Sequence, residues 1–326
     1  MASKIQWLWP PGHKGETWNP VSGCTKVSPG CANCYAESFL KRFPNSPSYS
    51  PSFLPGEALI KMHPDRLDKP LHWRDPRCIF VNSVSDLFHE EVPFGFVDEV
   101  FIRMWLTPQH QYIILTKRPE RMSEYIDDFS RKASLVGVAV RLHRDRDLFS
   151  LYVKDDYYLW PWPLKNVWIG ASIENQYWMK QRGDIMKEID WPNKLVSFEP
   201  LLGPIDPTGY EKVFQWFVIG GESGPGARPM HPLWASQLWH HLIPHSPGFW
   251  KQWGQWIPVP DERVKHSFSL SRRTRRVHYN PKSTTDAIDD RFMLRIKSTQ
   301  IYGGEWMEDR DIHRWPESMK LEEVRT

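Results

Sequence analysis

Three of the four cysteines lie within eleven residues, as Cys24, Cys31 and Cys34, and the fourth, Cys78, stands apart. An odd cluster of three argues against a disulfide framework and towards a metal or cluster site. Pro29-Gly30 signals a turn just ahead of Cys31. The segment after Cys34 has helical spacing in Phe39, Leu40 and Phe43, so the loop can fold back and aim three sulfurs at one point. Thiolates are soft ligands that suit iron–sulfur clusters or zinc. A structural zinc site takes four ligands, and the nearby candidate, His13, fits no common zinc spacing. Three thiols without a fourth ligand suit a four-iron cluster with one iron open to a substrate or cofactor. Zinc and unligated thiols are the alternatives. Cys78 begins an apolar run and reads as a core thiol.

A second set of chemistry-bearing residues follows the apolar runs. Asn82 to Asp86 comes after Phe80-Val81, and Thr116-Lys117-Arg118 after Leu115. Ser172, Glu174 and Asn175 come after Ile169, Glu199 after Phe198, and Gly220-Gly221-Glu222 after Ile219. Such residues could hydrogen-bond a bound cofactor or substrate. Equally, each carboxylate could cap the next helix or pair with Lys117, Arg118 or Lys251. Gly220, Gly221, Gly224 and Gly226 would let backbone approach a ligand closely, but the Gly-Lys-Ser/Thr of a phosphate loop is missing.

The elements that must position these residues are near-continuous apolar runs at Cys78–Val81, Tyr112–Leu115, Val167–Ile169, Lys194–Phe198 and Trp216–Ile219, with a weaker one at Phe249–Trp253. Such runs are what strands buried on both faces look like. Helical spacing appears over Phe94–Leu106, Tyr177–Ile189 and Leu233–Leu242. This alternation predicts an α/β chain with a full or partial parallel (β/α) barrel. In such a fold, sites form at the carboxyl ends of the strands.

The predicted organisation is a barrel over residues 1–256, with the cysteine loop at 24–34 and an insertion at about 130–166, then a charged C-terminal extension over 257–326 packing on the barrel. The insertion carries a basic run, Arg141–Arg146, and an aromatic patch, Tyr152 to Trp162; the extension carries Arg272, Arg273, Arg275 and Arg276. Both read as solvated charge, or as a phosphate-contacting surface with rings that stack on bases. The net charge of +3 allows only a local footprint of that kind. No run approaches the roughly 20 apolar residues of a membrane helix. With no signal-like N-terminus, the expected location is the cytoplasm. Tryptophan (18) and an aromatic content of 14% supply either core or stacking surface.

The motifs Thr17-Trp-Asn-Pro20, Ser22-Gly-Cys24, Cys31-Ala-Asn-Cys-Tyr-Ala-Glu37 and Leu115-Thr-Lys-Arg-Pro119 resemble a phage-associated family of three-Cys-motif proteins, itself similar to radical S-adenosylmethionine enzymes. Gly170–Asn175, Ser197–Pro204, Gly220–Met230 and Lys251–Gly254 extend the match over roughly residues 15 to 256. The chain departs from the usual Cys-x3-Cys-x2-Cys: its first gap is six residues, Asn33 precedes the last cysteine, and the aromatic Tyr35 follows it.

The resemblance implies a [4Fe-4S] cluster on Cys24, Cys31 and Cys34, with S-adenosyl-L-methionine on the open iron. It places Ser172, Glu174, Asn175, Glu199, Gly220, Gly221 and Glu222 about the cofactor. One-electron reduction by an external donor would release a 5′-deoxyadenosyl radical that takes hydrogen from a substrate, with a nucleic acid or nucleotide favoured and a partner protein allowed for. Two other readings compete. One is a zinc-stabilised nucleic-acid-binding protein without catalysis. The other is a metal-dependent hydrolase on a barrel, weakened because only His89 and His231 lie near the strand ends.

Overall fold

The computed structural model describes residues 5–37, 60–128, 162–224 and 226–259, together with short strands at 153–154, 157–158, 276–277 and 292–295. Seven strands form one sheet: β1 (Lys14–Trp18), β2 (Arg77–Val81), β3 (Gln111–Thr116), β4 (Val167–Ser172), β5 (Lys194–Phe198), β6 (Trp216–Gly220) and β7 (Gly248–Gln252). They pair in chain order, every neighbour parallel. Sequential parallel order curls the sheet one way, giving a half-barrel flanked by helices.

Four helices are fully described: α1 (Phe94–Trp105), α2 (Pro119–Asp127), α3 (Gln176–Glu188) and α4 (Pro232–Leu242). Each starts from a local signal. Proline occupies the first turn of α2 and α4, and the Asn175 side chain accepts from Trp178 N at 3.2 Å to cap α3. Each buries one stripe, as Val97, Val100, Phe101 and Met104 do on α1. The connection from β5 to β6 has no helix, a break in the expected alternation.

Side chains alternate between two cores. The outer core, between sheet and helices, takes Ile79, Val81, Tyr112, Ile114, Ile169, Phe198 and Phe217. The inner core takes Cys78, Ile113, Trp168, Leu195, Trp216 and Phe249, so Cys78 is the expected core thiol, its pKa driven up by burial. Towards the carboxyl ends the inward positions diverge. On β2 and β3 they are Phe80 and Leu115; on β4 and β5 they are Ser172 and Ser197.

β1 has no counterpart among the predicted strands. It reads Lys-Gly-Glu-Thr-Trp, and its Glu16 pairs with Arg77 of β2 at 3.2 Å. An edge strand that balances a charge against its neighbour lacks the apolar run that marks the others. The end strands β1 and β7 are not paired; a turn at Gln6–Leu8 packs against both and sends Trp7 into the inner core. Trp7 meets Phe80 at 5.0 Å and Trp216 at 6.0 Å between ring centroids.

Within the span expected as an insertion, Leu164 is buried in the outer core and the partly buried Trp162 packs against that core, meeting Trp191 at 5.0 Å between ring centroids. Strands at Trp256–Val259, Arg276–Val277 and Phe292–Arg295 form a separate antiparallel sheet. The basic runs at 141–146 and 272–275 lie outside the described residues. Among those described, no helix is long and apolar enough to cross a membrane.

Candidate functional site

The cysteine loop lies across the carboxyl ends of the strands, and each part is fastened to a different strand end. At the β3 end, Arg118 donates to Thr25 O at 3.4 Å and to Thr25 Oγ1 at 2.5 Å, with Cys24 Sγ at 3.8 Å. At the β4 end, Ser28 Oγ donates to Glu174 Oε1 at 2.5 Å. Beyond β6, Arg228 Nη2 donates to Pro29 O at 2.8 Å, and Asn33 Nδ2 donates to Glu222 Oε2 at 3.0 Å and Gly226 O at 2.8 Å. After β2, the Ser83 carbonyl accepts from the Tyr35 hydroxyl.

Beneath the loop is a cavity of about 330 Å³, inside the roughly 300–1,000 Å³ range of small-molecule sites. All three loop cysteines line it; Cys78 does not. Asp86, Lys117, Arg118, Ser172, Ser197, Glu199, Gly221, Glu222 and Lys251 also line it, above a floor of Ile5, Trp7, Phe80 and Leu115. The thiols and the strand-end residues, scattered through the sequence, therefore share one end of the barrel. Among the described residues, no three His, Cys, Asp or Glu side chains are drawn around a single point, although the three thiols border one cavity.

The thiols are electrostatically linked. Burial pushes Cys24 up to about 12, reinforced by the charge of Asp86 and opposed by Arg118. Burial raises Cys34 too, opposed in part by the backbone N–H of Ala36 and by Lys117. Cys31 acts on both, so the three lie within reach of one another's charge. Arg118 and Lys117, at the end of β3, oppose this rise, but burial outweighs them and both thiols stay above the ordinary range.

The carboxylates divide by role. Asp86 accepts from Thr116 Oγ1 at 2.7 Å, Lys117 N at 3.1 Å and Arg118 Nη1 at 3.2 Å, which ties the ends of β2 and β3 together. Glu199 accepts from Lys251 at 2.8 Å and Ser197 Oγ at 3.0 Å, and stays on the cavity wall. Burial alone would raise Glu222, but hydrogen bonds from Arg228 and Asn33 outweigh it and hold its carboxyl below the ordinary range.

Three of the residues expected around the cofactor stand elsewhere. Glu174 is fully buried beneath the loop and binds Arg182 at 3.0 Å, so it holds the loop down instead of facing a ligand. Asn175 spends its side chain on the α3 cap. Gly220 packs under Glu199, where a Cβ would stand 2.5 Å from Oε1, and does not reach the cavity wall. Ser172, Glu199, Gly221 and Glu222 do line it.

Both histidines weighed for a hydrolase are engaged. His89 Nε2 meets Thr25 Oγ1 at 2.8 Å and its Nδ1 accepts from Glu91 N at 3.2 Å; His231 Nδ1 caps α4.

Several site residues escaped the sequence reading. Lys117 and Arg118 were expected after an apolar run, but their closeness to Cys34 and Cys24 had no mark in the sequence. Trp7 gave no signal, because a short turn before an edge strand has no periodicity.

A family model described as "Protein of unknown function (DUF5131)" matches residues 2–296. The chain belongs to this family. No curated protein and no solved structure matches it. The matched span takes in the cysteine loop, all seven strands of the half-barrel and the antiparallel sheet beyond it.

Proposed function

We propose that the protein is an iron–sulfur enzyme of the radical S-adenosylmethionine type. The observation that carries this reading is that Cys24, Cys31 and Cys34 line one cavity at the carboxyl ends of parallel strands, with Lys117 and Arg118 beside them. Soft donors with adjacent cations fit a [4Fe-4S] cluster, whose thiolates must be deprotonated. Bound there with S-adenosyl-L-methionine, the cluster would supply a one-electron reductive cleavage that yields a carbon radical.

The chain's own part is to bind, orient and exclude water. Arg118 holds the Cys24–Thr25 stretch, Glu174 and Arg228 fix Ser28 and Pro29, and Asn33 anchors the segment between the last two cysteines. Glu199, Ser172, Ser197 and Lys251 offer polar contacts to what lies below. The wider reading includes a cytoplasmic setting in a bacterial or phage-infected cell, an external electron donor, and a nucleic acid or nucleotide substrate.

The test is anaerobic reconstitution of the full chain with iron and sulfide. A brown protein with broad absorbance near 400 nm, lost in Cys31→Ala while the circular dichroism is kept, is the expected result. Colourless protein holding one zinc ion would overturn it in favour of the zinc-stabilised alternative.

A further inference from the structure

The cavity is lined by two unlike sets of groups. One is apolar and aromatic: Phe80 and Leu115 from β2 and β3, with Trp7 and Ile5 from the N-terminal turn. The other is built of small and polar groups: Ser172, Ser197, Ser223 and Gln252. Phe80 is partly exposed and tilted at 59° to Trp7, so the two rings together offer an aromatic contact to what fills the cavity.

The charge on the walls is balanced. Asp86, Glu199 and Glu222 face Lys117, Arg118 and Lys251. Arg118 is taken by Asp86 at 3.2 Å and Lys251 by Glu199 at 2.8 Å, Glu222 is held by Arg228 at 2.6 Å, and Lys117 stands 4.0 Å from Glu174. Phosphate recognition needs surplus positive charge aimed at the ligand, and these pairs leave little.

A third feature marks an edge contact. Asn82 directly follows β2, lines the cavity, and takes a left-handed backbone with φ of 56°. Its Oδ1 accepts from Val21 N at 3.2 Å, but its buried Nδ2 has no partner among the described residues. A buried donor left unpaired is costly, and such groups are usually satisfied by a ligand or an ordered water.

We propose that the cavity receives a flat, uncharged heteroaromatic ring, the base of a nucleoside, with its face on Phe80 and an acceptor at its edge towards Asn82 Nδ2. Any phosphate stays outside. A polynucleotide would therefore have to present one base out of its stack. Naming the ring as substrate rests on the proposed radical reading; its binding does not, because no contact involves the cysteines.

The experiment uses the full chain without iron, titrated by calorimetry with uridine, cytidine, thymidine and guanosine, with their 5′-monophosphates, and with ribose 5-phosphate. Adenosine is left out because the proposed cofactor carries it. At least one nucleoside should bind, its monophosphate no more tightly, and ribose 5-phosphate not at all. Phe80→Leu, which keeps apolar volume but loses the flat face, should weaken binding about tenfold or more. Asn82→Asp keeps the acceptor for Val21 N and should weaken it by a similar factor. Asn82→Gly, compatible with the positive φ, secures the fold if the aspartate variant unfolds. Binding by phosphate-bearing ligands alone, no nucleoside binding by a folded chain, or nucleoside binding unchanged in folded Phe80 and Asn82 variants would overturn the proposal. Iron content is measured separately: a chain that binds the ring but no cluster would sink the radical reading and leave this subsite standing.

Discussion

Gly30 of the cysteine loop rests directly on the Glu174 carboxylate, so closely that a Cβ built on Gly30 would stand 2.4 Å from Oε1. Glu174 is fully buried, and Ser28, two residues before Gly30, donates to the same oxygen. The loop and the end of β4 are thus packed as one unit, although 146 residues separate Ser28 from Glu174.

From this contact, Gly30→Ala should lift the loop from its seat. The added methyl would meet a carboxylate fixed by Arg182, which has no room to retreat. Iron bound per chain after reconstitution should fall severalfold. The midpoint of thermal unfolding should move little, because the loop adds few side chains to either core. Unchanged iron content would show that the loop can rise without losing its ligands.

Glu174 and Arg182 form an ion pair with neither side chain exposed. Removing one partner strands the other charge in the interior, at a cost of about 3–5 kcal/mol. Glu174→Ala should therefore lower urea stability by that order, and the Glu174→Leu, Arg182→Met double variant should recover much of it. A double variant no more stable than the single one would mean that Arg182's bond to the Ser172 carbonyl, at 2.6 Å, matters more than its charge.

Two buried histidines set an acid limit. Burial pushes His63 and His110 down to about 4, from an ordinary value of 6.5. Between those values the unfolded chain binds protons that the folded chain refuses, so stability rises with pH from about 4 to 6.5 and these groups add no slope above it. Each pKa unit corresponds to about 1.4 kcal/mol. Urea midpoints measured at pH 4.5 and 7 should differ, and His63→Asn with His110→Asn should flatten the difference. An unchanged slope would assign the acid limit to the carboxylates.

Trp7 is the filler of the gap between the end strands. Trp7→Ala should cost roughly 3–5 kcal/mol, the usual range for a buried large aromatic, and should open the cavity floor beside Phe80. Enhanced fluorescence of a hydrophobic dye in folded variant protein is the expected sign. A variant that is as stable and as dye-silent as the parent would show that the inner core closes without the turn.

The sequence by itself determined the repeating part of the protein. Strands β2 to β7 and helices α1, α3 and α4 were legible because two-sided burial writes apolar runs and one-sided burial writes a 3.6-residue stripe, both local patterns. The cysteine spacing likewise pointed to a candidate site, and Pro29-Gly30 showed how the loop turns. The tertiary structure alone decided which polar residues serve that site. Glu174 and Glu199 look alike in sequence, each just past a strand. One is buried under the loop by Arg182 and the other is left on the cavity wall beside Lys251. Asn175 and Asn82 differ in the same way, one capping a helix and the other lining the cavity. Trp7 and β1 were illegible because their partners lie on distant strands, and a contact made across a curled sheet leaves no mark in the order of neighbours along the chain.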